Sequence, residues 1–270
     1  MLKQRLISGL LLATIMLVTI VFAPQPIVAL MLAVIFAIGA WEWMGLTRFA
    51  SPLSRSIFTA LVIALFALGW LYHREHNLVF FWLMLAAVIW FAILVMLSFY
   101  HSSGSGLPAR WQTRLLFTGL ILLPAAWLAL VKLDGIHPGW LVYALALSAI
   151  ADSFAYIAGK RFGKRKLAPE LSPGKTREGL FGGILAVFVF ALAVAVFIKL
   201  PVLQAVSLVL LSLLCALISV VGDLFISMMK REAGLKDTGK ILPGHGGILD
   251  RFDSHIAVAP VLFLGLDWIL

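Results

Sequence analysis

The sequence has little charge and almost no cysteine. Of its 270 residues only 12% are Asp, Glu, Lys or Arg, against 63% hydrophobic. Soluble domains carry about 25% charged and about 45–50% apolar residues, so a water-soluble globular protein is excluded. The single cysteine, Cys215, rules out an intrachain disulfide. Lying inside an apolar run, it reads as a buried structural thiol. No Cys/His cluster has zinc-ligand spacing, and no triad-like nucleophile set stands out. Ser172-Pro-Gly-Lys-Thr176 has the ending of a phosphate loop without its G-x-x-x-x-G-K-[ST] spacing, and no strand is expected before it. Internal repeats and low-complexity tracts are also absent.

What is there is hydrocarbon in spans of membrane length. A bilayer core takes about 20 apolar residues as a helix. Candidate spans run from Leu6 to Phe22, Pro26 to Leu46, Ser56 to Leu71, Leu78 to Phe99, and Leu115 to Val131. Four more run from Gly139 to Ala158, Leu180 to Ile198, Val202 to Met229, and Ile256 to Leu270. The first resembles a signal peptide at Val21-Phe22-Ala23, but its length and Pro24 favour a membrane span. With the N-terminus in the cytosol, 18 of the 21 Lys and Arg fall on the cytosolic face, leaving Arg74, Lys132 and Lys199 opposite. That asymmetry is the positive-inside rule, and it turns the net charge of +9 into a topology signal rather than a nucleic-acid footprint. The expected fold class is all-α: a polytopic integral membrane protein of about nine transmembrane helices, N-terminus cytosolic and C-terminus outside. It forms a single membrane domain over 1–270, with 1–138 as helical scaffold and 139–270 carrying the catalytic helices and loops.

Carboxylates within apolar spans cost about 2.5–3.5 kcal/mol each near the bilayer centre and are functional candidates by default. Asp152 and Asp223 each precede their helix end by seven residues, and Glu42 precedes Arg48 by six. At about 1.5 Å per residue all three sit roughly 10 Å inside the cytosolic surface. Ser148, Asp152 and Tyr156 form one stripe at helical spacing, and Asp223, Ser227 and Lys230 or Arg231 form another. Pairing with Lys or Arg for helix association is the plainer account of such acids. For Glu42, flanked by Trp41 and Trp43 as in an interfacial belt, a structural role is favoured. Gly179-x-x-x-Gly183 permits close helix packing without naming a partner.

Most of the polar chemistry lies in one loop, Ser227 to Asp253, which holds nine of the 33 charged residues. Asp250 and Asp253 are three apart and share a helical face. With Asp223 they suit a hard cation such as Mg2+, which takes carboxylate oxygens and completes its shell with water and substrate phosphate. Pro243-Gly-His-Gly-Gly247 would bend so that backbone N–H groups approach an anion. In the earlier loop, Lys175 reads as a point charge for phosphate.

These blocks resemble the signature of the phosphatidate cytidylyltransferases (CDP-diacylglycerol synthases): S-x-x-K-R from Ser227, then Lys236-Asp237, then H-G-G-x-x-D-R-x-D from His245 to Asp253. Asp152-Ser153 leading to FGKRKLAPELSPGKTREG is similar to that family's other common block, and Trp41-Glu42-Trp43 to a feature of bacterial members. Phe154 departs from the small residue frequent there. The resemblance implies that CTP and phosphatidic acid give CDP-diacylglycerol and pyrophosphate, with Mg2+ and room for a second cation. It implies metal ligation by Asp223 and Asp250, with Asp152 and Asp253 at a second site or outer shell. Lys175, Lys230, Arg231, Lys236 and Arg251 would bind phosphates. Asp237 and His245 would orient neighbours or contact pyrophosphate, and Ser172, Thr176, Gly246 and Gly247 would line the substrate site. The expected partners are the two substrates and membrane lipid, not nucleic acid. A homodimer fits on packing grounds. A bacterial inner membrane, with the site facing the cytosol, is the expected location. A secondary transporter would want midplane sites and inverted repeats. A CDP-alcohol phosphotransferase would want D-G-x-x-A-R, and an intramembrane prenyltransferase D-x-x-x-D pairs; neither pattern is present.

Overall fold

A computed structural model describes residues 13–100, 109–239, 241 and 246–269. Among them are eight helices long and apolar enough to cross a membrane, plus a shorter apolar helix, α1 (Ala13–Phe22). The eight are α2 (Gln25–Gly45), α3 (Pro52–Leu71), α4 (His76–Ser98), α5 (Ala109–Ile136), α6 (Pro138–Phe162), α7 (Arg177–Phe197), α8 (Val202–Glu232) and α9 (Leu249–Ile269). Much of the expected first span, like Lys240 and Pro243 to His245, lies outside the described residues.

Helix ends are set by local chemistry that hydrophobic runs do not reveal. Helix α3 begins at Pro52, four residues before the expected Ser56, because Ser51 and Ser54 form a reciprocal capping box ahead of a proline at the first helical position. Helix α9 begins at Leu249 rather than Ile256. Asp250 and Asp253 are therefore in its first turn and a half, not in a loop before it.

Helices α3, α4 and α7 expose large apolar side chains such as Leu61, Phe81 and Leu185, as lipid-facing helices must. Helix α9 is the hub, touching α2, α4, α5, α6 and α8. Two helix pairs approach so closely that a methyl group would clash. A Cβ on Gly183 would lie 2.7 Å from the Ala151 carbonyl of α6, and one on Gly222 of α8 would lie 2.5 Å from the Asp253 carbonyl of α9. Small residues buying close approach is the usual logic of packing inside a membrane, and it gives the Gly179/Gly183 pair its partner, α6.

One departure from the all-helical expectation lies between α6 and α7. Strands β1 (Lys166–Ala168) and β2 (Ser172–Thr176) pair antiparallel, with Lys166 opposite Thr176 and Ala168 opposite Ser172. Thr176 ends the hairpin and caps α7, its Oγ1 accepting from the Gly179 N–H at 3.1 Å. The SPGK segment is thus itself part of a strand, and β1 precedes it, contrary to the expectation that no strand would; the G-x-x-x-x-G-K-[ST] spacing is still lacking.

Candidate active site

The polar residues converge on a cleft of about 660 Å³ between α6, α7, α8, the start of α9 and strand β2. Asp152, Lys175, Thr176, Asp223, Lys230, Asp250, Arg251 and Asp253 all line it. Leu180, Ile184, Ala216 and Val220 add an apolar part to the same wall. The close approach at Gly222 brings Asp253 beside Asp223, and the packing of α7 on α6 brings the end of the hairpin, with Lys175, over Asp152.

Two ion pairs cross the cleft. Lys175 Nζ lies 2.5 Å from Asp223 Oδ2, and Lys230 Nζ lies 2.8 Å from Asp250 Oδ1. Each ammonium has three donors, so neither pair exhausts its lysine. Asp223 Oδ1 also accepts from Ser227 Oγ at 3.2 Å, as the helical spacing of that stripe requires. Asp152 Oδ2 accepts from Ser254 Oγ at 3.4 Å. Asp253, 8% exposed, accepts the Ser254 N–H at 2.7 Å. Asp253 feels the charges of Asp223 and Asp152 as well as that of Lys175. Three carboxylates therefore share one ammonium.

The carboxylates offer only oxygen donors, which suit a hard cation, and along the cleft the four of them are matched by Lys160, Lys175, Lys230 and Arg251. Among the described residues, no three or more Asp, Glu, His or Cys side chains are arranged so that they could hold a metal ion. Asp250 is the most committed carboxylate. Its Oδ2 accepts the Thr238 N–H at 2.9 Å and the Gly247 N–H at 3.0 Å, while Oδ1 holds Lys230. Gly246 has φ +82°, and a Cβ there would also meet Asp250 Oδ2 at 2.8 Å, so the turn demands glycine.

Other expected site residues are placed with different partners. Arg231 Nε donates to the Leu171 carbonyl at 3.4 Å, linking the end of α8 to the hairpin. Lys236 and Asp237 are exposed, and the Asp237 side chain lies beside Gly246. Ser172 starts β2 and Thr176 ends it with its hydroxyl engaged. His245 lies outside the described residues. Phe154 is 49% exposed and leaves the floor around Asp152 undisturbed. Ser254 and Thr238 were missed by sequence reasoning. Ser254 carried a signal, since it adjoins Asp253 and its hydroxyl sits three to four residues from Asp250, but serine in a helix is too common to single out.

Residues 3–268 match the model of the cytidylyltransferase family. The chain belongs to that family. This cytidylyltransferase-family chain is 39% identical to a phosphatidate cytidylyltransferase of Pseudomonas aeruginosa, across 99% of this chain and 97% of that one. It is 36% identical to the phosphatidate cytidylyltransferase of Haemophilus influenzae, across 96% of each. Against the Bacillus subtilis protein of the same name it is 45% identical across 49% of each.

Proposed function

We propose that this chain transfers the cytidylyl group of CTP to phosphatidic acid, giving CDP-diacylglycerol and pyrophosphate, at the cleft between α6 and α9. The observation that carries the reading is the wall composition: four aspartates, with Lys175 and Lys230 paired to two of them, and apolar side chains line one and the same cleft. A lipid phosphate and a nucleoside triphosphate need a polar floor that joins an apolar slot, and few other substrates need both. The two relatives matched over nearly the whole chain are phosphatidate cytidylyltransferases, which supports the same reading.

In the proposed reaction a phosphate oxygen of phosphatidate attacks the α-phosphorus of CTP. The new P–O bond forms as the bond from the α-phosphorus to the bridging oxygen breaks, and pyrophosphate leaves with that electron pair. The lipid phosphate is itself the nucleophile, so the protein supplies position and charge. Lys175, Lys230 and Arg251 face the cleft and would hold the phosphates. Asp223, with Asp250 through the remaining lone pair of Oδ1, and Asp152 and Asp253 beside them, would hold Mg2+. When bound, Mg2+ would supply charge neutralisation at the phosphates. Leu180, Ile184, Ala216 and Val220 would receive the acyl chains. The positive-inside asymmetry supports a cytosolic orientation for this face, and a bacterial inner membrane is the proposed location. The test is pyrophosphate release by purified protein: release from CTP should require both phosphatidate and a divalent cation. Release that ignores phosphatidate would refute the assignment.

A further inference from the structure

Glu42 lies in α2, far in sequence from every cleft residue, and is 2% exposed. Its carboxylate does not face the cleft. Oε1 accepts the Ile248 N–H at 3.1 Å, and Oε2 accepts the Leu249 N–H at 2.7 Å and the Thr238 hydroxyl at 3.1 Å. The first N–H groups of a helix have no partner within it, so a residue about 200 positions upstream is capping α9. A negative charge there is also favoured by the helix dipole.

The surroundings are shaped to admit this carboxylate. A Cβ on Gly239 or Gly247 would come within 2.2 or 2.5 Å of a Glu42 oxygen. Glu42 thus grips both ends of the loop between α8 and α9, at Thr238 and at Ile248–Leu249. Asp250 Oδ2 grips the same two ends, through the Thr238 and Gly247 N–H groups. The two carboxylates share a scaffold, and moving one displaces donors of the other. A buried carboxylate left without its donors is strongly unfavourable, so Thr238 and the segment from Gly247 to Leu249 stay in register while both carboxylates are charged and satisfied.

We infer that Glu42 is a positioning residue: by capping α9 and holding Thr238, it ties Thr238 to the start of α9 and thereby fixes the place of Asp250 in the cleft. This rests on the cytidylyltransferase reading for its catalytic consequence and on the hydrogen bonds alone for its structural one. Glu42→Gln keeps the shape but turns one acceptor into a donor facing another donor. The experiment measures the Mg2+ concentration at half-maximal pyrophosphate release, together with amide hydrogen exchange across 236–250, in detergent-purified protein. The Gln variant should need about tenfold more Mg2+, the scale of one lost hydrogen bond to a charged group, and should exchange faster in that segment. Unchanged Mg2+ dependence and unchanged exchange overturn the inference, and so does a lower folded yield with normal turnover per folded molecule. Should the Gln variant not fold, Thr238→Val removes one Glu42 donor while keeping the backbone N–H to Asp250. It should shift both readouts in the same direction, and no shift in either overturns the inference. If wild-type protein released no pyrophosphate, the activity reading would fall while the exchange data still decided the role of Glu42.

Discussion

The two loops that frame the cleft are built on opposite principles. The first, between α6 and α7, holds itself. Its strands pair, the Arg177 N–H donates to the Arg165 carbonyl at 2.8 Å, and Lys166 Nζ reaches the Pro173 carbonyl at 2.7 Å. Glu178 fastens its base by accepting the Lys164 and Arg165 N–H groups. The second loop, between α8 and α9, hangs on carboxylates outside itself. Thr238, Gly247, Ile248 and Leu249 all donate to Glu42 or Asp250. A self-paired hairpin can lend a lysine to the cleft without depending on it. The second loop cannot be separated from the acids it presents, so lesions in the two loops should have different signatures.

The largest difference is expected at Asp250. Asp250→Asn weakens the hold on Lys230 and disturbs the shared scaffold, and breaking a buried pair costs about 3–5 kcal/mol. Turnover should fall about a thousandfold, with faster amide exchange from Lys236 to Asp250. Loss of turnover with unaltered exchange would show that the loop stands without that carboxylate. A smaller effect is expected in the hairpin. Lys175→Ala removes a charged donor worth about 1.5–3 kcal/mol, so kcat/KM should drop roughly 10- to 100-fold. Exchange in β1 and β2 should stay as in the wild type. Hairpin opening in that variant would break the contrast.

How much of this was legible beforehand depended on whether local spacing decides. Ser227 beside Asp223 followed from helical periodicity alone. So did the shared face of Asp250 and Asp253. The expected seven residues from Asp152 and Asp223 to their helix ends fell short, because α6 runs on to Phe162 and α8 to Glu232. Partner choice did not follow, because Lys230 reaches Asp250 only through the conformation of the loop between them. The hairpin was missed: strands of three and five residues, with Pro169 just after the first and Pro173 inside the second, leave almost no periodic signal. Glu42 was read as structural from its tryptophan neighbours, and its bonds to Thr238, Ile248 and Leu249 were not foreseen. Trp41 and Trp43 suggested a belt at the membrane interface, yet Trp43 is fully buried and donates its Nε1–H to the Leu115 carbonyl at 3.0 Å. Trp41 alone lies toward the outside, with the Arg55 guanidinium 5.7 Å from its ring. Lipid and protein interior are equally apolar, so composition along α2 does not say which side faces which.

The claim on which the rest depends is that the Asp152, Asp223, Asp250 and Asp253 carboxylates share a divalent cation in the cleft. Anomalous scattering from Mn2+ in crystals grown with CTP tests it directly. The account predicts a peak within coordination distance of Asp223, touching nucleotide phosphate, and no such peak in Asp223→Asn. A fully occupied Mn2+ elsewhere, with Asp223 still bound only to Lys175 and Ser227, would contradict it.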